Sequence, residues 1–168
     1  EGKKLSIEHK VDKGLQVFET EILWNMPRQE VRSKLNEKYE EQNQVISVKE
    51  FLPESEDIIS RKDIYRNFKR SNLWMVFIYD ENDKLTQFEM HSGEGVSIKK
   101  LNLYFNEHID EAIKRLKNLN INHIYLSPEE IFIPDLKTVF ASADHMGGDG
   151  KEIEYIYFSQ KIDHLEEP

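Results

Sequence analysis

The sequence predicts an α+β fold, with two amphipathic helices packed on a largely antiparallel β-sheet in a single domain over residues 1–168. Three observations carry that expectation. Apolar residues recur at helical spacing in two stretches, one opening near Pro27 and one over 107–119. The other apolar runs are short and rich in strand-forming residues, and several are joined by brief polar turns. No proline-rich or glycine–serine linker divides the chain, and a folded chain of this length buries roughly two-thirds of its unfolded surface.

Taken in order, "KLSIEHKV" (4–11) alternates apolar and polar residues, and "VDKG" supplies turn chemistry before "LQVFETEILW", which predicts a hairpin. The stretch 22–42 reads as a helix opening on Pro27, because proline in a first turn loses no hydrogen bond that the helix would have made. Val31, Leu35 and Tyr39 then form a narrow apolar stripe. Strands are expected at 45–52, 63–69, 73–80 and 84–91, the last two joined through Glu81, Asn82 and Asp83. "LWMVFIYD" is almost continuously apolar, so it is expected at the centre of the sheet, with Trp74 in the core. "GEGVSIKKLNLYF" adds a further strand.

The second helix carries the broad face Ile109, Ala112, Ile113, Leu116 and Leu119, with Glu111 and Arg115 as an outward i,i+4 pair. Short strands follow at 123–126, 130–133, 136–142 and 153–159, and "MGGDGKE" forms a loop before the last. Each half thus reads as a helix followed by antiparallel strands. Glu30, Val31, Lys34 and Leu35 fall on Glu111, Ala112, Arg115 and Leu116 at an 81-residue offset. A duplication with halves 1–95 and 96–168 is one reading of that match, and two unrelated amphipathic helices in an ordinary α+β domain is the other.

The net charge is −9, and its layout is uneven. Residues 61–70, "RKDIYRNFKR", hold five of the 23 basic residues and one of the 32 acids, leaving 18 basic and 31 acidic residues elsewhere, a net of −13. Such a field repels nucleic-acid phosphates and favours basic partners, so nucleic acid is not expected as a partner although basic and aromatic residues interleave in 61–70. No stretch approaches the ~20 apolar residues of a membrane-spanning helix, so membrane insertion is not expected. The absence of cysteine excludes disulfides and fits a reducing compartment. The cytoplasm is therefore the expected location, while the start at Glu1 leaves open an envelope protein whose leader was removed.

Motifs that name a reaction are missing. "HMGGDG" lacks the Lys-Ser/Thr of a phosphate-binding loop and leads into a strand. The six histidines are scattered without H-E-x-x-H spacing, and no G-x-S-x-G occurs. Asp144, His145 and Asp149 cluster in the glycine loop and are the one candidate for weak cation binding, with solvated loop residues as the plainer reading. No catalytic residue, metal or cofactor is assigned.

The run "ILWNMPRQEVRSKLNEKYEE", followed by "LWMVFIYDENDKLTQFEMHSG", resembles the repeat of the β-lactamase inhibitory protein and related outer-membrane assembly lipoproteins. Met26, Glu30 and Val31 match the helix start of that repeat, and Phe77, Asp80, Lys84 and Leu85 fit its hairpin. Asn25 stands where the repeat has glycine and Pro27 where it has a hydroxyl N-cap. The second half shares only the helix periodicity. The same helix-plus-hairpin pattern is similar to that of several immunity proteins paired with secreted bacterial toxins. The resemblance implies a bacterial binding or inhibitory module without catalytic residues.

The expected function is therefore a small acidic protein-binding module of the toxin-immunity or inhibitor type, which masks a basic partner such as a toxin domain. An envelope-associated scaffold or assembly protein is the alternative, and a metal-assisted enzyme is less favoured. Polar connecting segments commonly carry recognition residues, so Glu40, Glu41, Glu54, Glu56 and Asp57 are the expected partner-binding acids. Trp24, ahead of the first helix, is the candidate aromatic anchor.

Overall fold

The computed structural model describes residues 5–160. In chain order the elements are β1 (Ser6–Lys10), β2 (Gly14–Val17), β3 (Thr20–Leu23), α1 (Arg28–Leu35), β4 (Glu40–Ile46), β5 (Ile58–Tyr65), β6 (Trp74–Tyr79) and β7 (Leu85–Ser92). There follow β8 (Ser97–Ile98), β9 (Leu103–Tyr104), α2 (Ile109–Asn118), β10 (Ile124–Ser127), β11 (Glu130–Ile133), β12 (Thr138–Ser142) and β13 (Ile153–Ser159). The chain is mixed α+β, as expected, but its strands divide into two sheets. A large antiparallel sheet runs β10-β11-β12-β13-β7-β6-β5-β4, and a small one runs β3-β2-β1-β8-β9 with β8 parallel to β1. The small sheet was not foreseen as a separate layer.

The large sheet buries the side chains of one face. A row crosses it through Thr138, Phe158, Phe88, Phe77 and Asp63. Phe88 lies 5.2 Å from Phe77 and 5.3 Å from Phe158, centroid to centroid. Over this face lie the small sheet and both helices: Ile7, Leu15, Val17 and Ile22 from the first, Val31 and Leu35 from α1, and Ile109, Ala112, Ile113 and Leu116 from α2, all in one continuous core. Burial of aromatic and branched side chains at about 1.5–3 kcal/mol each is the main force holding the layers together.

Helix α1 is shorter than the periodicity predicts. Pro27 caps it in an extended conformation, and Asn36 ends it in the left-handed region at φ 48°, its N–H donating to the Arg32 carbonyl. Asparagine tolerates that conformation, and with only Val31 and Leu35 to bury, the helix has little reason to continue. Tyr39 is consequently off the helix, and the expected strand at 45–52 begins instead at Glu40 and ends at Ile46. Helix α2 matches expectation except at two points. Leu119 is exposed, and Arg115 reaches back to the Glu107 carboxylate and the Asn102 carbonyl rather than to Glu111.

Each helix is also tied to a hairpin by the same three backbone hydrogen bonds. Asn25 N–H donates to Leu85 O, Leu85 N–H to Met26 O, and Arg28 N–H to Asp83 O. In the second half Asn106 donates to Ile153, Ile153 to Glu107, and Ile109 to Lys151. Asn25 and Asn106 have matching positive φ, 67° and 72°. The helix-side residues Asn25, Met26 and Arg28 and their counterparts Asn106, Glu107 and Ile109 share the 81-residue offset read from the sequence, while Asp83 and Leu85 precede Lys151 and Ile153 by 68.

Two buried polar groups fix the layers. Asp63, wholly buried, accepts from Arg28 Nε and Nη2 at 3.1 and 2.7 Å and from Arg32 Nε and Nη2 at 2.7 and 2.8 Å. His9 stacks on Phe158 at 4.7 Å, and its Nδ1 lies 2.6 Å from the Leu136 carbonyl. Burial lowers the His9 pKa to about 4, outweighing the hydrogen bonds to backbone carbonyls that raise it.

Asp63→Ala leaves Arg28 buried without its carboxylate and is expected to cost about 3–5 kcal/mol by chemical denaturation. His9 is neutral in the fold and protonates more readily when unfolded. Its contribution to stability is full above the unfolded value near 6.5, declines as the pH falls and is lost by about 4. Between pH 6.5 and 5 this one group removes about 2 kcal/mol. In His9→Gln the stability difference between pH 7 and pH 5 should shrink by about that amount.

Candidate functional site

The large sheet ends in an arm. Strands β4 and β5 pair over seven residues, from Glu40↔Ile64 to Ile46↔Ile58, without a register shift. Beyond Ile46 the loop 47–57 turns back through hydrogen bonds from Phe51 and Leu52 N–H to the Val48 carbonyl. All seven β4 residues are exposed, and so are Ile58 and Ile59 at the start of β5. Val45, Ile46, Phe51, Leu52, Ile58 and Ile59 form an apolar tip, with Phe51 81% exposed and Val45 68% exposed. Single exposed apolar residues are ordinary, whereas six on one hairpin make an exposed apolar patch of the kind that interaction surfaces use.

All five acidic residues expected from the sequence lie on this arm. They divide into two groups. Glu40 and Glu41 sit at the base of β4 and pair within the chain, Glu40 with Arg66 at 2.7 Å and Glu41 with Arg32 at 2.7 Å. These contacts hold both carboxyls below their usual range: hydrogen bonds from Gln42 and Arg66 act on Glu40, and one from Arg32 acts on Glu41. Glu54, Glu56 and Asp57 lie exposed in the loop beside the apolar tip, and no ion pair engages them among the described residues.

Trp24 is a correction. It is 6% exposed and its Nε1–H donates to the Val11 carbonyl at 2.8 Å, so it belongs to the core. The alternation Ile22, Trp24, Met26, all buried, carried that information. Trp74 reverses the other expectation: it is 36% exposed on the opposite face of β6 from Met75 and Phe77.

That opposite face of the large sheet carries residues the sequence reading missed. Trp74 lies 5.1 Å from the Arg66 guanidinium and 5.1 Å from the His91 ring. His91 Nε2 is 3.0 Å from Glu89 Oε1, and Tyr155 donates to Glu89 Oε2 at 3.3 Å. Burial raises the Glu89 pKa, but the hydrogen bonds and charge of His91 prevail and hold it below the usual carboxylate range. "QFEMHS" gave the signal, since alternation sets Glu89 opposite to Phe88 and Met90. The arrangement is an aromatic-edged polar surface that fixes a carboxylate.

Among the described residues, two of the five basic residues in 61–70 are paired with acids of the chain. Arg61 pairs with Asp83 at 2.7 Å, Arg66 with Glu40, and Asp63 lies between Arg28 and Arg32. In the glycine loop, Asp144 accepts from Gly150 N–H at 2.7 Å and His145 turns toward Ser127 and Glu130. Among the described residues no group of three or more histidine, aspartate or glutamate side chains is placed to hold a metal ion, and no helix is long and apolar enough to cross a membrane.

Because the arm tip contributes nothing to the core, Phe51→Ser with Leu52→Ser should change unfolding free energy by no more than about 0.5 kcal/mol, while binding of a hydrophobic dye to the folded protein falls. Comparison with protein-family models, with curated proteins and with solved structures gives no match.

Proposed function

We propose that this chain is a protein-binding module of the toxin-immunity or inhibitor type, which engages a basic partner through the β4–β5 arm. The observation that carries the reading is the meeting of six exposed apolar side chains with Glu54, Glu56 and Asp57 on one projecting hairpin. Desolvated aromatic and aliphatic anchors supply most interface energy, while rim charges mainly set encounter rate and specificity. Phe51 and Leu52 are the anchors in this reading and the loop acids are the rim. Glu40 and Glu41 serve the arm's own attachment, through Arg66 and Arg32, more than the partner.

We also read the chain as one helix-plus-strands unit used twice. The recurrence of three backbone hydrogen bonds and a left-handed asparagine, at an offset of 81 on the helix side and 68 on the hairpin side, supports it. On that reading the arm is where the first unit departs from the second. Eleven residues, 47–57, join β4 to β5, where Pro128 and Glu129 alone join β10 to β11.

The test is affinity capture from native cells at low and at moderate salt, with the retained protein then purified for kinetics. A basic protein held in stoichiometric amount and weakened by salt is expected. Neutralising Glu54, Glu56 and Asp57 together (E54Q, E56Q, D57N) should slow association, by up to the roughly 10- to 1000-fold range of electrostatic steering. Phe51→Ser should instead speed dissociation. If the variant carrying all four substitutions binds the captured protein as the parent does, the arm is not the site.

A further inference from the structure

The two edges of the large sheet differ in kind. β10 has four residues, its register slips between Tyr125 and Ser127, and Pro128 follows it directly. Short length, a bulge and a nearby proline are the devices by which proteins keep a further strand from adding. β4 has none of them. It is seven residues long, pairs with β5 without a slip, contains no proline or lysine, and is exposed along its whole length. Among the described residues nothing pairs with its outer edge. Its two carboxylates are already matched by Arg66 and Arg32, so the edge presents no uncompensated charge to an incoming strand.

We propose that β4 pairs antiparallel with β4 of a second copy, about a twofold axis through Asn43, joining two eight-stranded sheets into one. The residues of β4 select that occupant. Reversed upon itself, "EEQNQVI" sets Glu40 and Glu41 against Ile46 and Val45, Gln42 against Gln44, and Asn43 against Asn43. No carboxylate faces a carboxylate, and the centre is a row of amides, each able to donate and to accept. Val45 and Ile46, which already face Ile59 and Ile58 of β5 on one side, gain the aliphatic stems of Glu41 and Glu40 from the second copy on the other. A basic strand would instead meet two carboxylates that are already engaged. The pairing does not rest on the binding reading: Phe51, Leu52 and the loop acids lie outside the paired stretch, and Val45 and Ile46 are the residues shared by the two surfaces.

Sedimentation velocity over a concentration series is the first measurement, with a mass approaching twice the 20.0 kDa of one chain expected at high concentration. Asn43→Lys places two ammonium groups across the axis and should weaken the dimer by about tenfold or more, leaving the thermal melt of the dilute monomer in place. The chain has no cysteine, so Asn43→Cys supplies a single thiol. Directly opposed residues of an antiparallel pair fall within disulfide reach, and mild oxidation should link two chains, whereas Lys114→Cys on α2 should not. A chain that stays monomeric at every concentration overturns the proposal. So does a dimer that Asn43→Lys leaves intact and Asn43→Cys fails to cross-link, and so does a monomer whose β4 amides become protected only when an unrelated basic partner is added.

Discussion

Asp63 is a carboxylate with no solvent and four hydrogen bonds, all from two arginines on one face of α1. A buried charge is tolerable only when matched in place, so the position of α1 and that of β5 are a single condition. The helix has eight residues and two aliphatic side chains directed at the core, too little to settle its orientation by apolar contact alone. The arginines do it. Arg28 spans from Asp63 to Asp83 in the β6–β7 turn, and Arg32 spans from Asp63 to Glu41 at the base of the arm. The arm therefore leaves the body in a direction fixed by a salt-bridge cluster some residues away from its apolar tip.

The same cluster accounts for the electrostatics. Sequence proximity collects cations in residues 61–70, but strand alternation sends Arg61 and Asp63 to one face and Arg66 to the other, where Arg61 meets Asp83, Arg66 meets Glu40, and Asp63 meets the helix arginines. Two of the five cations that lie together along the chain are thus matched by acids on different faces. Acids without partners are then conspicuous at the arm loop, where Glu54, Glu56 and Asp57 face solvent beside Phe51 and Leu52.

Elements whose pattern expresses their own burial were legible. α2 buries four of the five residues that its spacing nominated, and β6, β7 and the strands from β10 to β13 lie near their expected places. β4 was not legible, because "EEQNQ" has little strand propensity and is extended by pairing with β5 rather than by burial. The small sheet was hidden for a related reason: β8 has two residues and owes its existence to β1, far away along the chain. Glu54, Glu56 and Asp57 lie in a loop, as their polar surroundings suggest, whereas Glu40 and Glu41, read as a polar connection, open β4 and are paired, and nothing local distinguished the two groups. The two tryptophans were misplaced through their neighbours. A nearly continuous apolar run concealed that Trp74 takes the outward parity, and the helix start next to Trp24 drew attention from the strand alternation that buries it.

The sheet joins at its middle through β7 and β13, which pair over residues 87–90 and 156–159. During synthesis β7 is complete about 60 residues before β13 begins, an interval of roughly 3–12 s at cellular elongation rates. For that time β7, with Phe88 and Met90 in its inner row, is itself a terminal strand of a half-built sheet. Until β13 is made, the outer edge of β7 has no strand to pair with, and the order of the strands along the chain makes that exposure a built-in interval of synthesis.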